Sequence, residues 1–255
     1  MLEAFIHNKL NRAISEGVVH PIEDTLTSSV IGTLQFLPDE MFWKILSESC
    51  GLLTKDLPAV VGNIIAIDFW EKLDSSGTSN KRFVEPDVII ETEQYYIIIE
   101  AKRADSECIQ NNNQWYNEIV SILNLSRNLD KKDLVFRALG GNDTYKDKVI
   151  DVQNRQFIIH TASWFNLLNS VVRFNESLGY TENTYIKRIL YSVIRAFEKH
   201  HIIKMVWFDS LDYVQIDYKE SLFNQYLKFQ DRDFFKIEDF KIQIENIDNI
   251  WKLIK

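Results

Sequence analysis

The sequence predicts an α/β fold: a central mixed β-sheet flanked by α-helices, in the order αβββαβ, with a C-terminal α/β extension. Three observations carry this. The hydrophobic spacing is helical until about residue 58, then turns to β-branched runs, and afterwards alternates between the two. The runs Val88-Ile89-Ile90 and Ile97-Ile98-Ile99 are apolar at every position, as in strands buried on both faces. With 255 residues, 45% hydrophobic and 26% charged, the chain suits one large core better than two small ones. A single domain is expected over residues 1–255, with its core at about 21–165 and the extension at about 180–255.

Residues Leu2 to Glu16 read as a helix, closed by Gly17 in the left-handed position that follows many helices. Pro21 opens a second helix, with Glu23 and Asp24 in its first turn, where acids suit the helix dipole. A third starts near Asp39 and carries Met41, Phe42, Ile45 and Leu46 as an apolar stripe. Val60 to Leu73 reads as a strand ending in the loop Asp74-Ser75-Ser76-Gly77. Two strands follow, Glu85 to Glu91 and Tyr95 to Lys102, joined at Glu93-Gln94. A helix from about Cys108 to Asn128 has Trp115, Ile119, Ile122 and Leu123 at helical spacing. Leu134 to Leu139 is a strand stopped by Gly140-Gly141, and Phe157 to His160 is another, leading into Trp164, Leu167 and Leu168. Tyr185 to Phe197 is a strongly amphipathic helix. Short strands are expected at Met205 to Phe208 and Tyr213 to Tyr218, before a helical tail ending near Trp251.

Composition limits the function. No apolar run is long enough to span a bilayer, and Glu3, His7 and Lys9 interrupt the N-terminus, so neither a membrane partner nor a signal peptide is expected. Cys50 and Cys108 are too few and too far apart for a disulfide framework or a structural zinc site, which points to a cytoplasmic protein with reduced thiols. The histidines lack partners at metal-ligand spacing and are expected at the surface or at helix ends. A net charge of −8 argues against strong unassisted binding of nucleic acid, although it leaves room for a local basic surface.

The chemistry lies in the hairpin around Glu93-Gln94. A two-residue turn there pairs Val88 with Ile99 and Ile90 with Ile97, giving one apolar face. On the other face Asp87 then lies opposite Glu100, and Glu85 opposite Lys102. A three-residue turn would instead set Asp87 against Ala101; a longer loop that keeps the first pairing is also compatible, since Glu93-Gln94 is not a favoured turn pair. Two facing carboxylates in apolar strands are costly unless neutralised. One reading is a structural ion-pair network. Buried pairs add little net stability, however. A divalent cation resolves the cost, and oxygen ligands select Mg²⁺ or Mn²⁺.

Pro86-Asp87, a spacer, then Glu100-Ala101-Lys102 resembles the motif of the PD-(D/E)XK nucleases, which include restriction endonucleases, recombination nucleases and many phage-defence proteins. The resemblance runs from Pro21 to Trp164 and implies a restriction-endonuclease-like core. It implies that Asp87 and Glu100 bind metal, that the Ala101 carbonyl contributes, and that Lys102 is the catalytic lysine. Glu23 matches the extra metal-binding acid of the first helix, with Asp24 the weaker match. Gln114 matches a glutamine that supports the site from the following helix, and Gln110 shares its face. Lys81, Arg82 and Arg103 are candidates for contact with the phosphate backbone. Trp207, Phe208, Tyr213 and Tyr218 suit core packing better than base stacking.

The expected activity is therefore Mg²⁺-dependent hydrolysis of phosphodiester bonds, with DNA as substrate, in restriction or phage defence. The alternative is a nuclease-like subunit of a multiprotein defence complex, acting through partner binding and silent until assembled. A homo-oligomer is compatible with either.

Overall fold

In the computed structural model the described residues are 2–12, 14–15, 18–19, 22–50, 57–105, 109–125, 132–142, 146–179 and 184–203. The chain divides into two units, Met1–Met205 and Val206–Lys255. The second, with the strands and tail expected after Met205, lies outside the described residues.

The first unit is built on a six-stranded mixed sheet. Its strands are β3 (Ile64–Phe69), β4 (Val88–Thr92), β5 (Tyr95–Ala101), β6 (Asp133–Leu139), β7 (Lys148–Val152) and β8 (Arg155–Ala162), in the spatial order β3-β4-β5-β6-β8-β7. Pairs β5·β6 and β6·β8 are parallel and the others antiparallel. The parallel crossovers need intervening chain, and the first is supplied by α4 (Asn112–Leu125). Helices α2 (Glu23–Leu34), α3 (Asp39–Glu48), α5 (Trp164–Ser177) and α6 (Thr184–Lys199) share a core with one face of the sheet through Val88, Ile90, Ile97 and Ile99. Helix α4 packs on the other face, with Trp115, Ile119 and Ile122 against Ile89, Ile98 and Phe136. Fully burying each such side chain is worth about 1.5–3 kcal/mol. No helix among the described residues is long and apolar enough to cross a membrane.

The central hairpin has the shorter turn. Val88 pairs with Ile99 and Ile90 with Ile97. Its turn lacks glycine because Thr92 does the work: the buried hydroxyl donates to the Val61 carbonyl (2.7 Å) and accepts from the amides of Gln94 (3.2 Å) and Tyr95 (2.9 Å). The strand before it is shorter than its β-branched run, Ile64–Phe69 rather than Val60 to Leu73, with Leu73 in a lone bridge to Val84. The following loop is tied to α4, since the Ser79 amide donates to Asn117 (3.1 Å) and Asn124 donates to the Ser76 carbonyl (2.7 Å).

Two sequence expectations fail here, and one strand goes unannounced. The helix from Leu2 to Glu16 is instead α1 (Leu2–Ile6), a 3-10 turn over Lys9–Arg12, and a two-stranded ribbon of β1 (Ile14–Ser15) and β2 (Val18–Val19). Asn8 breaks it by taking a left-handed conformation (φ 57°), which asparagine tolerates better than most residues. Strand β7 is an edge strand that the hydrophobic pattern does not announce. His160 is not a surface residue: it is buried in β8, with Nδ1 3.2 Å from Asp147 Oδ2.

Candidate active site

Asp87, Glu100 and Lys102 come together where β4 and β5 diverge. Alternation along the strands sends Asp87 and Glu100 to the α4 face, the side of Ile89 and Ile98. Both carboxylates are buried. The Lys102 side chain is 16% exposed, and its ammonium bonds Glu100 Oε1, lies 3.1 Å from the Ala101 carbonyl and 3.6 Å from Glu23 Oε1. Glu85 does not face Lys102 as the strand pairing suggested. It pairs with Lys9 from the N-terminal segment.

Helix α2 brings in two more acids. The Thr25 hydroxyl accepts from the Ile22 amide (2.9 Å) and fixes the entry of the chain, so Glu23 and Asp24 open the helix. Oxygen atoms of Glu23, Asp24 and Asp87 all lie within 4.8 Å of one another. Asp24, the weaker candidate in the sequence, thus stands beside Glu23. Glu23 Oε2 also accepts from the backbone amide of Arg103 (3.1 Å). The Arg103 side chain is exposed, as are Lys81 and Arg82 on the β3–β4 loop outside this cluster.

Helix α4 supports the site from below. Gln114 donates to Glu100 Oε1 (2.6 Å). Gln110 donates to the carbonyls of Glu100 (3.2 Å) and Gly140 (3.1 Å), and accepts from the Trp115 indole (2.9 Å). Glu118, one turn beyond Gln114, is 1% exposed and lies beside Glu100 and Gln114. The sequence reading passed over it, although its spacing from Gln114 signals the shared face.

Two further supports carry no local signal. Asp87 Oδ1 accepts from the indole N–H of Trp70 (3.0 Å), while Oδ2 accepts from the Ala101 amide (2.8 Å). Trp164 donates its indole N–H to the Lys102 carbonyl (2.8 Å).

The electrostatics follow from burying many acids beside one ammonium. Burial, with Glu100 nearby, pushes Asp87 well above the usual carboxylate range. Burial and then Glu118 do the same to Glu100. Burial raises Glu118 to about 8, so it holds a proton at neutral pH. Burial alone would lower Lys102, but Glu100 and Asp87 outweigh it and hold the ammonium above its usual value. The site is short of positive charge.

A divalent cation fits this shortage. The available donors are carboxylate and carbonyl oxygens, the preference of Mg²⁺ and Mn²⁺. Glu100 Oε2 is moreover buried with no hydrogen-bond donor, a costly state for a carboxylate oxygen. No protein-family model and no curated protein matches the chain.

Proposed function

We propose that this chain is a metal-dependent nuclease of restriction-endonuclease-like type that hydrolyses phosphodiester bonds of DNA. The observation that carries the reading is the Glu100–Lys102 pair standing beside Asp87, with Glu23 and Asp24 arriving from α2. The order helix, three strands, helix, strand through β6 supports it.

In this reading Glu23, Asp24, Asp87 and Glu100, with the Ala101 carbonyl, hold Mg²⁺ or Mn²⁺. Bound there, the cation supplies Lewis acidity at a phosphoryl oxygen. The chain's own residues do the rest. Lys102 stays protonated because two carboxylates hold its proton, so it acts as a cation and donor: it orients the attacking water and offsets charge gathering on the phosphorus oxygens. Gln114 holds Glu100 in the orientation that keeps Lys102 pointed at the same space. Lys81, Arg82 and Arg103 offer phosphate contacts around the rim. Phage defence or restriction is the proposed setting.

The test is plasmid cleavage in Mg²⁺ or Mn²⁺ by the purified chain. Asp87→Ala and Lys102→Ala are expected to cut at least about 100-fold more slowly than wild type, the scale of losing one preorganised charged group. Equal cleavage by the variants rejects the site. The charge of −8 favours a second reading, a nuclease-like subunit to which a partner delivers the nucleic acid. Cleavage that appears only on adding a partner, and still needs Asp87, selects it.

A further inference from the structure

We propose that Trp70 is a positioning residue for the metal centre, its indole fixing the Asp87 carboxylate and the N-terminal segment Leu2–Leu10 locking the indole. The inference rests on the metal-site reading above.

Asp87 sits just before β4, beyond the last ladder pair of the hairpin at Val88–Ile99. Its carboxylate therefore needs outside donors to hold one orientation. The Ala101 amide is one, and β5 fixes it. The Trp70 indole, which follows β3 rather than lying within the ladder, is the other. Trp70 follows the last residue of β3 and binds Asp87 twice, since its own amide also donates to the Asp87 carbonyl (3.1 Å).

The conformation of Trp70 shows that its orientation is imposed. It has φ 51°, in the left-handed region that a bulky L-residue avoids unless its surroundings hold it there. The surroundings are the Phe69 ring, 5.7 Å away between ring centres, and the N-terminal segment. The His7 ring meets the indole edge-on at 5.7 Å, and the Lys9 ammonium lies 5.4 Å from the ring centre. Lys9 also pairs with Glu85, two residues before Asp87, so one side chain ties the segment both to the indole and to the approach of β4. An ionised carboxylate offers about four lone-pair sites. The two N–H groups occupy part of that capacity and leave the rest for a cation.

Supporting groups around a metal ligand typically change metal affinity about 10–100-fold. Mn²⁺ binding, followed by the electron paramagnetic resonance signal of the free ion, is expected to weaken about tenfold in Trp70→Phe. Trp43→Phe removes another buried indole, one that donates to the Pro58 carbonyl (2.9 Å), and serves as the control for lost tryptophan packing. It is expected to keep Mn²⁺ affinity within about twofold of wild type. Lys9→Met is expected to weaken Mn²⁺ by a smaller factor than Trp70→Phe. The unaltered chain gives a measurement independent of whether Trp70→Phe folds: saturating Mg²⁺ should change tryptophan fluorescence, with the change kept in Trp43→Phe and lost in Asp87→Ala. Folded Trp70→Phe with wild-type Mn²⁺ affinity overturns the inference. So does wild-type Mg²⁺ saturation without a fluorescence change. A wild type that binds no Mn²⁺ is a different result, which removes the metal reading and this inference with it.

Discussion

A Cβ added to Gly140 would collide with the carbonyl oxygen of Lys102 and lie 2.9 Å from the Trp164 indole; Gly140 also has φ 69°. Backbone cannot yield as a flexible side chain can, so the strand–turn junction needs glycine on two independent grounds. Gly140→Ala is expected to destabilise the protein by about 3 kcal/mol or more, combining overpacking with a strained φ. Urea unfolding measures it, and a loss below 1 kcal/mol would mean that Lys102 is not held against this turn. The pH dependence of stability has a separate residue at its root. Burial, with the charge of Arg103, lowers the His200 imidazole to about 4, and its Nδ1 is buried without a partner. A folded value below the unfolded one near 6.5 means that this contribution is present above about pH 6.5 and is lost as pH falls through about 4. His200→Gln should remove that acid sensitivity, on the order of 2–3 kcal/mol between pH 7 and pH 4. If denaturant midpoints of the two proteins fall in parallel with pH, the buried neutral histidine is refuted.

At the level of elements, helix α5 is fastened to the backbone of Lys102. The Asp105 carboxylate accepts from the amides of Trp164 (2.9 Å) and Phe165 (3.0 Å), Ser163 accepts from Asn166 (2.9 Å), and the Trp164 indole returns to the Lys102 carbonyl. A capping acid is worth about 1–2 kcal/mol. Asp105→Ala is therefore expected to lower the melting temperature by about 2–8 °C, taking about 2–4 °C per kcal/mol at this chain length. It should also slow cleavage through displacement of Lys102. An unchanged melting temperature would show that the loop does not cap the helix. The elements differ in how far the sequence announces them, for physical reasons. Val88-Ile89-Ile90 and Ile97-Ile98-Ile99 declare buried strands, and the two-residue spacing fixes their pairing. Strand β7 closes with Gln153 and Asn154 both at positive φ, a turn normally flagged by Asn-Gly, so the hairpin carries no sequence signal. Likewise the apolar spacing of the N-terminus continues past Asn8, whose left-handed conformation prevents the helix from continuing.

On the scale of the whole molecule, what was legible at the site is what adjacent strands and one helix turn encode. Asp87, Glu100 and Lys102 follow from strand alternation, and Gln114 from the motif, with Glu118 readable one turn further on. Trp70, Trp164, His7 and Lys9 meet the site only through tertiary packing, which no local pattern specifies. Gathering these acids also sets the stability of the fold. Burial raises Asp87 and Glu100, so the metal-free protein loses stability as pH rises above the unfolded carboxylate range and the folded state is forced to give up protons. A cation binding only the folded state reverses this, adding about 2.7 kcal/mol at a free concentration 100 times its Kd. The melting temperature should therefore climb by about 5–11 °C on saturation with Mg²⁺ or Mn²⁺ at neutral pH, and fall back on chelation. On the proposed reading, Asp87→Asn removes a buried charge and a ligand together. It should melt above the metal-free wild type and show no rise with metal, because buried carboxylates crowded together are costly without a neutralising cation. A rise of equal size in Asp87→Asn would place the cation elsewhere on the protein, and a variant less stable than the metal-free wild type would mean that Asp87 serves the fold rather than the ion.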